Sequence, residues 1–283
     1  MDLEYKKSIV RYYDATRLDY RILWFGKKNR SVHFGYYDHE VKTHHEALLN
    51  LNKIMAIKSE VKKGDIILDA GCGQGGSSVW LAENYNVKVS GITLVPHQVA
   101  KAKKHAQKSK ANDSVNFFEQ DYTNTAFPNE SFSLIWACES MCHAQEKINF
   151  YKEAFRLLKP GGRLICADYF RTARPLSNSG EKLLHEWLNG WSINDIDTLI
   201  EHEQNAHLTG FTHFKIEDIT QNTRPSLMHL HSMSSKLWRL GQFLKKIGLR
   251  NKINHNNHFA SIKQFEALEN NLWFYGLLSL KKQ

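Results

Sequence analysis

The chain has 283 residues, enough for one large α/β domain with an insertion or for two small domains, and its 42% hydrophobic fraction can supply a sizeable core. No run approaches the roughly 18 apolar residues of a membrane-spanning helix, and the charged amino-terminal residues form no apolar secretory signal, so we expect a cytoplasmic protein. Lys and Arg exceed Asp and Glu by 38 to 29, which gives a net charge of +9. This charge suits an anionic membrane face, an anionic substrate or simply a well-solvated surface. Because the sequence contains no zinc-finger or RNA-recognition signature, we expect no nucleic-acid partner.

Two helical segments are predicted in the first 60 residues. Residues 3–26 form a lead-in rich in aromatic side chains, and residues 43–58 place apolar residues on one helical face. An aromatic stripe at helical spacing is as often core as binding site, so the pattern alone assigns no function to it.

The stretch Ile66–Trp80, IILDAGCGQGGSSVW, organises the rest of the chain. Three aliphatic residues and an Asp precede four glycines within six residues, which predicts a buried parallel strand, a tight turn and the start of a helix. Gly71 and Gly73 allow a positive φ in the turn and let a ligand touch the main chain. Units of this kind bind small molecules at the carboxyl ends of strands, where the helix amino terminus offers unpaired N–H groups.

Two common ligands of such loops are disfavoured. A nicotinamide site needs an acid about 20 residues after the loop to bind the ribose hydroxyls, and the predicted second strand, residues 88–94, carries no carboxylate. The Gly-Lys-Ser/Thr ending of a nucleoside triphosphate loop is also absent.

Strands and helices alternate up to about residue 170. This alternation predicts a doubly wound α/β sheet with right-handed crossovers. After the first strand, the predicted strands are 88–94, 115–119, 131–138 and 163–168, and the predicted helices are 77–83, one that starts at Pro96, and 146–158.

The alternation stops in the carboxyl-terminal third. Residues 171–205 begin with a predicted helix whose apolar face includes Trp187 and Trp191, and a second helix is predicted over 194–206. A strand over 211–219, a basic amphipathic helix over 226–249, a polar loop over 250–258 and a last strand over 272–280 follow. The amphipathic helix either packs on its neighbours or contacts a membrane surface.

No metal site or disulfide is predicted. Four cysteines lie in or beside predicted core strands without C-x-x-C spacing, so we expect reduced thiols that pack as small hydrophobic groups. His202 and His207 nearly form a zinc motif, but their spacing of five residues does not put both imidazoles on one helix face.

Residues 68–76, LDAGCGQGG, resemble motif I of the class I S-adenosylmethionine (SAM) methyltransferases, and the resemblance continues in the same order over about residues 12–170. It implies a Rossmann-like seven-stranded sheet with SAM as cofactor. It also implies that Asp121 accepts a hydrogen bond from the adenine amino group, and that Thr93 and Gln98 replace the usual acid at the ribose with neutral hydrogen bonds. The implied cofactor residues of the core are Asp69, Gly71, Gly73, Thr93, Leu94, Gln98, Gln120, Asp121, Tyr122 and Ala137.

The amino-terminal segment resembles one branch of this family. Tyr13-Asp14 and the HFGYY turn at residues 33–37 are similar to the cap of the cyclopropane fatty acid synthases and the sterol, tocopherol and geranyl diphosphate C-methyltransferases. In that branch a Tyr and this turn close over the methionine end of the cofactor, which adds Tyr13 and His33 to the implied cofactor site.

The acceptor side is predicted from residues 138–144, CESMCHA, directly after the fourth strand. Sterol C-methyltransferases carry a similar E-x-x-C-H-A run, and geranyl diphosphate C-methyltransferases carry a Glu at the same place. The resemblance implies methyl transfer to an alkene carbon, with Glu139 stabilising the carbocation and taking its proton. His143 orients Glu139 or an acceptor oxygen, or is simply packed, and Glu139 could instead be a helix-terminal carboxylate that binds backbone N–H groups.

The implied acceptor is an isoprenoid, either a prenyl diphosphate or sterol-like, or another unsaturated lipophile. The alternatives are a small-molecule N- or O-methyltransferase, a tocopherol-type aromatic C-methyltransferase and, outside enzymes, a SAM- or nucleic-acid-binding module. Cyclopropanation is disfavoured because that group carries a Glu-His pair where this chain has Glu139-Ser140. Candidate acceptor residues are Trp24, Trp187 and Trp191, for cation–π contact, and His229 and Arg239, for a diphosphate.

We expect a single methyltransferase domain over residues 1–283. Within it, residues 1–60 form a helical cap, 61–170 the SAM-binding core, and 171–210 and 224–258 the acceptor-cap helices. Mg²⁺ is expected only with a diphosphate substrate, as in related enzymes of that type. The sequence is compatible with a homo-oligomer and with a peripheral membrane contact.

Overall fold

The structure is a computed structural model that describes residues 1–23 and 31–283. The described residues form a seven-stranded sheet with helices on both faces. The strands are β1 (Ile66–Ala70), β2 (Lys88–Thr93), β3 (Val115–Glu119), β4 (Phe132–Cys138), β5 (Leu158–Arg171), β6 (Thr212–Asp218) and β7 (Trp273–Lys281). The helices are α1 (Leu3–Ala15), α2 (Arg17–Leu23), α3 (His44–Lys58), α4 (Gly76–Tyr85), α5 (Pro96–Ala106), α6 (Lys147–Leu157), α7 (Asn178–Gly190), α8 (Leu199–Thr209), α9 (Thr220–Lys246) and α10 (Lys252–Glu269).

The strand order is β3-β2-β1-β4-β5-β7-β6. Neighbours from β3 to β5 are parallel, and β7 is antiparallel to both β5 and β6. This order confirms the predicted doubly wound seven-stranded sheet. Because β1, β2 and β4 are parallel, their carboxyl ends meet at one edge, and the loops that follow them lie side by side.

Buried residues form one apolar cluster on each face of the sheet. The larger cluster includes Leu51 and Met55 of α3 together with Trp187 and Trp273. The smaller one is built around Phe150 of α6 and the far face of β4 and β5. Burial on both faces explains why β1 and β4 are near-continuous apolar runs in the sequence rather than alternating ones.

The predicted polar loop over residues 250–258 is wrong, because α10 begins at Lys252. Asn251 caps this helix by accepting a hydrogen bond from the backbone N–H of Asn254 at 2.8 Å. The buried side of the helix carries polar residues that bond internally, such as His258, whose Nε2 lies 2.5 Å from the Ser234 carbonyl. The sequence therefore shows no apolar helical period over these residues, because the buried face of the helix is polar.

Other element boundaries differ in detail. Helix α9 begins at Thr220 rather than at residue 226, with Pro225 inside it, and β5 is longer than predicted at both ends. Helix α10 packs against α7, α9 and α1, which places these helices together. None of the helices in the described part of the chain has the combined length and apolarity that a membrane crossing requires.

Candidate active site

Two cavities adjoin each other at the carboxyl edge of the sheet. The first, with about 820 Å³ of empty space, lies over the glycine loop after β1, and the second, with about 590 Å³, lies between α1, α2 and α10. Four residues line both cavities and form their common wall: Tyr13, Val32, Glu139 and His143.

The glycine loop is shaped by positive φ angles and by close packing. Gly71 has a φ of +95°, and a Cβ there would lie 2.3 Å from the Cβ of Ser140, so only glycine fits beside the loop after β4. Gly73 has a φ of +53°, but a Cβ there would meet no atom within 4 Å. The backbone N–H groups of Gly71 and Cys72 both donate to the carbonyl of Ile92, which ties the loop to β2.

Asp69, at the end of β1, is buried beneath this loop and accepts a hydrogen bond from Ser78 Oγ at 2.5 Å. Burial raises the pKa of Asp69 to about 7, against the lowering effect of Ser78. The two neutral side chains expected at the ribose are paired, with Thr93 Oγ1 donating to Gln98 Oε1 at 2.7 Å. Within the described residues Gln98 Nε2 donates to no other residue, which leaves an amide donor for a ligand hydroxyl.

Most of the predicted cofactor residues do line the first cavity. Those that do are Tyr13, His33, Asp69, Gly71, Gly73, Thr93, Leu94, Gln98 and Tyr122. Residues that line it but were not predicted include Ser31, Cys72, Gln74, Val95 and Ser140. Ser31 had no recognisable signal, whereas Cys72 and Gln74 lie within the glycine motif itself.

Three predicted cofactor residues do not line the first cavity. Asp121 accepts hydrogen bonds from Thr123 and forms an ion pair with Lys6 of α1 at 2.7 Å. Burial alone would raise the pKa of Asp121, but the bonds from Lys6 and Thr123 hold it below its usual value. Gln120 Oε1 accepts from the Ala126 N–H at 2.7 Å, and Ala137 is fully buried in β4. The contact of Asp121 with adenine therefore stays a prediction that this arrangement does not support.

Glu139 follows β4 with a φ of +48° and is held by three donors. The backbone N–H of Phe34 donates to Oε1 at 2.5 Å, the Tyr275 hydroxyl donates to Oε1 at 2.8 Å, and the Tyr169 hydroxyl donates to Oε2. The single backbone donor comes from the segment between α2 and α3, not from a helix amino terminus. Burial nevertheless raises the pKa of Glu139 to about 8, although the three donors oppose this shift.

His143 makes its hydrogen bonds to Tyr13 and Ser192, not to Glu139. Its Nδ1 lies 3.2 Å from the Ser192 carbonyl, which can only accept, so Nδ1 carries the proton. Burial lowers the pKa of His143 to about 4 and keeps the ring neutral. Nε2 therefore accepts from the Tyr13 hydroxyl at 3.0 Å, and the oxygen of Tyr13 keeps free lone pairs at the common wall.

The turn that carries Glu139 and His143 is fixed by two buried charged residues that sequence reasoning missed. Asp168 accepts the Cys142 backbone N–H at 2.9 Å, and burial raises the pKa of Asp168 to about 6. Lys147 Nζ donates to the carbonyls of Cys142, Ala144 and Asp195 at 2.7 to 3.0 Å. No sequence signal distinguishes Lys147 from a surface lysine of a helix.

The second cavity is mainly aromatic and apolar. No Lys or Arg occurs among the described residues that line it. At one end Asp19 Oδ2 accepts from Arg250 at 3.0 Å and from Asn257 at 3.1 Å, and within the described residues Asp19 Oδ1 accepts no hydrogen bond. Its aromatic and aliphatic lining is Tyr12, Tyr13, Tyr20, Val32, Phe34, Tyr169, Trp191, Ile193 and Leu230.

The predicted acceptor residues are scattered. Trp191 lines the second cavity, whereas Trp187 is fully buried and supports Tyr169 edge-on, with ring centroids 5.3 Å apart. His229 and Arg239 are exposed on α9 and line neither cavity. Trp24 lies outside the described residues. Within the described ranges no group of three or more His, Cys, Asp and Glu side chains could hold a metal ion.

A doubly wound sheet with a glycine loop, a buried Asp below it and a cavity above it is the architecture of a class I methyltransferase. A family model described as a methyltransferase domain matches residues 68–166. The 27-O-demethylrifamycin SV methyltransferase of Amycolatopsis mediterranei (strain S699) is 32% identical over 221 residues, which cover 77% of this chain and 79% of that relative. The chain belongs to the SAM-dependent methyltransferases, which confirms the predicted family and cofactor.

Two further relatives match over shorter stretches. A phosphoethanolamine N-methyltransferase of Triticum aestivum is 34% identical over 57% of this chain, and the sterol 24-C-methyltransferase of Saccharomyces cerevisiae is 28% identical over 63%. The matches span only 30% and 45% of the lengths of these two relatives. They show a similarity over part of each relative and do not show a shared acceptor.

Solved structures show the same fold across the whole chain. A cyclopropane synthase from Mycobacterium tuberculosis superposes with a TM-score of 0.84 at 16% identity and covers 98% of both chains. A geranyl diphosphate C-methyltransferase from Streptomyces coelicolor A3(2) superposes with a TM-score of 0.75 at 20% identity and covers 99% of this chain and 98% of that one. At these identities the likeness concerns the fold alone.

Proposed function

We propose that this methyltransferase methylates an alkene carbon of an unsaturated lipophilic acceptor, with Glu139 as the cation-stabilising group and base. The observation that carries the proposal is the position of Glu139 on the wall common to both cavities. Burying a carboxylate between a cofactor cavity and an apolar cavity costs free energy because the charged group loses its hydration. A carboxylate kept at such a position is therefore a candidate for a catalytic role.

The residues of the first cavity fit SAM. Gln98 lines the cavity, and its Nε2 donates to no residue in the part of the chain that the structure describes. A Cβ added at Gly73 would meet no atom within 4 Å, so the loop backbone is open beside the cavity. When bound there, SAM supplies an electrophilic methyl group on a sulfonium. Tyr13, Val32, Glu139 and His143 line both cavities, so they would lie between a cofactor bound in the first cavity and an acceptor in the second.

The acceptor reacts in the second cavity. Its π electrons form the new C–C bond, the S–C bond of the donor breaks, and one acceptor carbon is left as a cation. Glu139 offsets this charge and accepts the proton whose loss restores a double bond. Burial raises its pKa to about 8, close to neutrality, where a base is most effective, and a neighbouring sulfonium charge would oppose this rise and favour the ionised carboxylate.

Aromatic walls suit a cationic intermediate. Phe34, Tyr169 and Trp191 line the second cavity together with Glu139. Each face offered to the cation contributes about 0.5–2 kcal/mol. A mainly apolar cavity also aligns donor and acceptor, which supplies a large part of the rate.

The polar end of the second cavity supports a neutral or hydroxyl-bearing acceptor rather than a diphosphate. A diphosphate needs cations, yet the described lining contains none, and Arg250 behind it is already paired with Asp19. Asp19 Oδ1, which accepts no hydrogen bond from any residue that the structure describes, can accept one from a hydroxyl group. His229 and Arg239 line neither cavity, so they form no second site for a diphosphate. The described residues also provide no site for a diphosphate-bound Mg²⁺, and we assign no step to a metal.

One observation supports O- or N-methylation as a second candidate. The neutral His143 holds the Tyr13 hydroxyl at the common wall, where its oxygen can accept from an acceptor O–H or N–H. Proximity alone suffices for such acceptors, and Glu139 would then be dispensable.

A labelled-methyl assay tests the proposal. Sterols, quinols, prenyl diphosphates and small amines are offered with radiolabelled SAM, and mass spectrometry identifies what becomes labelled. We expect Glu139→Gln to bind SAM normally and to lose roughly 10²-fold or more in turnover of an unsaturated lipophile. Glu203→Gln, at an exposed position of α8, is the matched control. Full turnover by Glu139→Gln, or labelling confined to amines, contradicts the proposal.

A further inference from the structure

We propose that the tip of the α9–α10 hairpin, residues 236–252, docks on the face of an anionic lipid bilayer. The docking surface lies outside both cavities. Docking itself does not depend on which acceptor is methylated, but its use for acceptor uptake rests on the proposed function.

The first argument is charge. Residues 219–265 contain no Asp or Glu but eight Lys and Arg residues. Arg224 pairs with Glu269, Arg250 with Asp19, and Lys263 with Glu266. The other five form no ion pair within the described residues, and all of them lie at the tip: Lys236, Arg239, Lys245, Lys246 and Lys252.

The second argument is exposed apolar area at the same place. Leu240 is 53% exposed, Phe243 58% and Ile247 49%. Their spacing of three and four residues puts them on one stripe at the end of α9, and Leu249, 74% exposed, follows directly. Only the opposite side of this helix end, which includes Gly241, is buried against its neighbours. Within residues 1–23 and 31–283 the stripe is therefore exposed rather than packed on the cap.

Cations and apolar residues are arranged together. Lys236 lies four residues before Leu240 on the same stripe, and Arg239 and Lys246 border it. An amphipathic helix of this composition lies in the headgroup region, with its apolar side chains inserted and its cations at the lipid phosphates. Nucleic acid would need the cations but not the exposed Phe and Leu side chains, so the apolar stripe favours the bilayer.

The tip also adjoins the acceptor cavity. An apolar groove with about 450 Å³ of empty space is lined by Leu237, Leu240 and Leu244 together with Asp19 and Arg250. Asp19 lines the second cavity as well, so the Asp19–Arg250 ion pair stands between groove and cavity. A lipophile that leaves the bilayer at the tip meets this groove before it reaches Glu139.

Vesicle co-sedimentation of the full chain tests the docking. Vesicles of phosphatidylcholine alone are compared with vesicles that contain increasing phosphatidylglycerol, at low and high ionic strength and without any acceptor. We expect binding that grows with anionic lipid and falls with salt. Each neutralised cation near the surface should reduce the partition coefficient about fivefold, so Lys236→Gln/Arg239→Gln/Lys246→Gln should lose about 100-fold.

Leu240→Ser/Phe243→Ser should also weaken vesicle binding, because these apolar side chains insert into the headgroup region in the proposed docking mode. Matched controls are Lys103→Gln/Lys104→Gln on α5 and Leu208→Ser on α8, which change exposed residues far along the chain and should bind vesicles like the wild type. SAM affinity measured in every variant reports that the fold is intact.

Equal binding by tip variants and controls overturns the proposal, as does binding to an acidic protein surface without binding to vesicles. The result of the vesicle-binding test can be distinguished from the result of the methylation assay. Intact docking with no methylation of lipophiles refutes the acceptor assignment alone, and methylation in detergent without docking refutes the docking alone.

Discussion

Tyr275→Phe is the most selective perturbation of the proposed mechanism. Tyr275 donates to Glu139 Oε1 at 2.8 Å but does not line the second cavity, so its loss changes the carboxylate without touching the acceptor. The ring is fully buried, and Phe preserves its packing. Because the donor stabilises the ionised carboxylate, its removal raises the pKa of Glu139 from about 8.

The magnitude follows from the bond that is lost. A hydrogen bond to a charged group contributes roughly 1.5–3 kcal/mol, which corresponds to about one to two pKa units. The base must be ionised, so at pH 7 the active fraction falls about tenfold for each unit. At a pH well above the new pKa the variant should recover wild-type kcat/KM.

The assay is the pH profile of kcat/KM, whose rising limb should move to higher pH in Tyr275→Phe. Tyr151→Phe is the matched control, since Tyr151 is equally buried but its hydroxyl bonds to His202 at 2.8 Å, away from the cavities. A loss that is the same at every pH, or an unshifted profile in a fully active variant, would refute the role of Glu139 as base.

Three other outcomes are expected. Gly71→Ala should abolish SAM binding in calorimetry because its Cβ would lie 2.3 Å from Ser140 Cβ. Gly73→Ala should weaken binding by roughly 5- to 150-fold through backbone strain of about 1–3 kcal/mol, and wild-type affinity in both variants removes the site assignment. Lys147→Met should lower the melting temperature and kcat together, since three carbonyls lose their donor, and an unchanged kcat contradicts a positioning role. In thermal melts without SAM, Glu139 should make stability fall as the pH rises from about 4.5 to 8, because its pKa is about 8 when folded and 4.5 as its ordinary value. Glu139→Gln should flatten the slope between pH 7 and 8, above the pKa of about 7 of Asp69. His143, with a pKa of about 4 when folded against 6.5, acts in the opposite direction and only below pH 6.5.

The sequence by itself determined the parts of this protein that depend on local pattern. The strand, glycine loop and helix at residues 66–80 are adjacent in the chain, and their chemistry is readable without knowing the fold. Glu139 was found for the same reason, since it directly follows a buried strand. The doubly wound sheet followed from the alternation of strand and helix periods.

Tertiary structure decided what surrounds those parts. The donors to Glu139 come from Phe34, Tyr169 and Tyr275, which are 105, 30 and 136 residues away in the chain. It also turned Asp121 toward Lys6 and made a helix of the predicted polar loop at 250–258. Contacts between distant residues leave no period or spacing in a single sequence, because they are set by how whole helices pack on the sheet rather than by their neighbours along the chain.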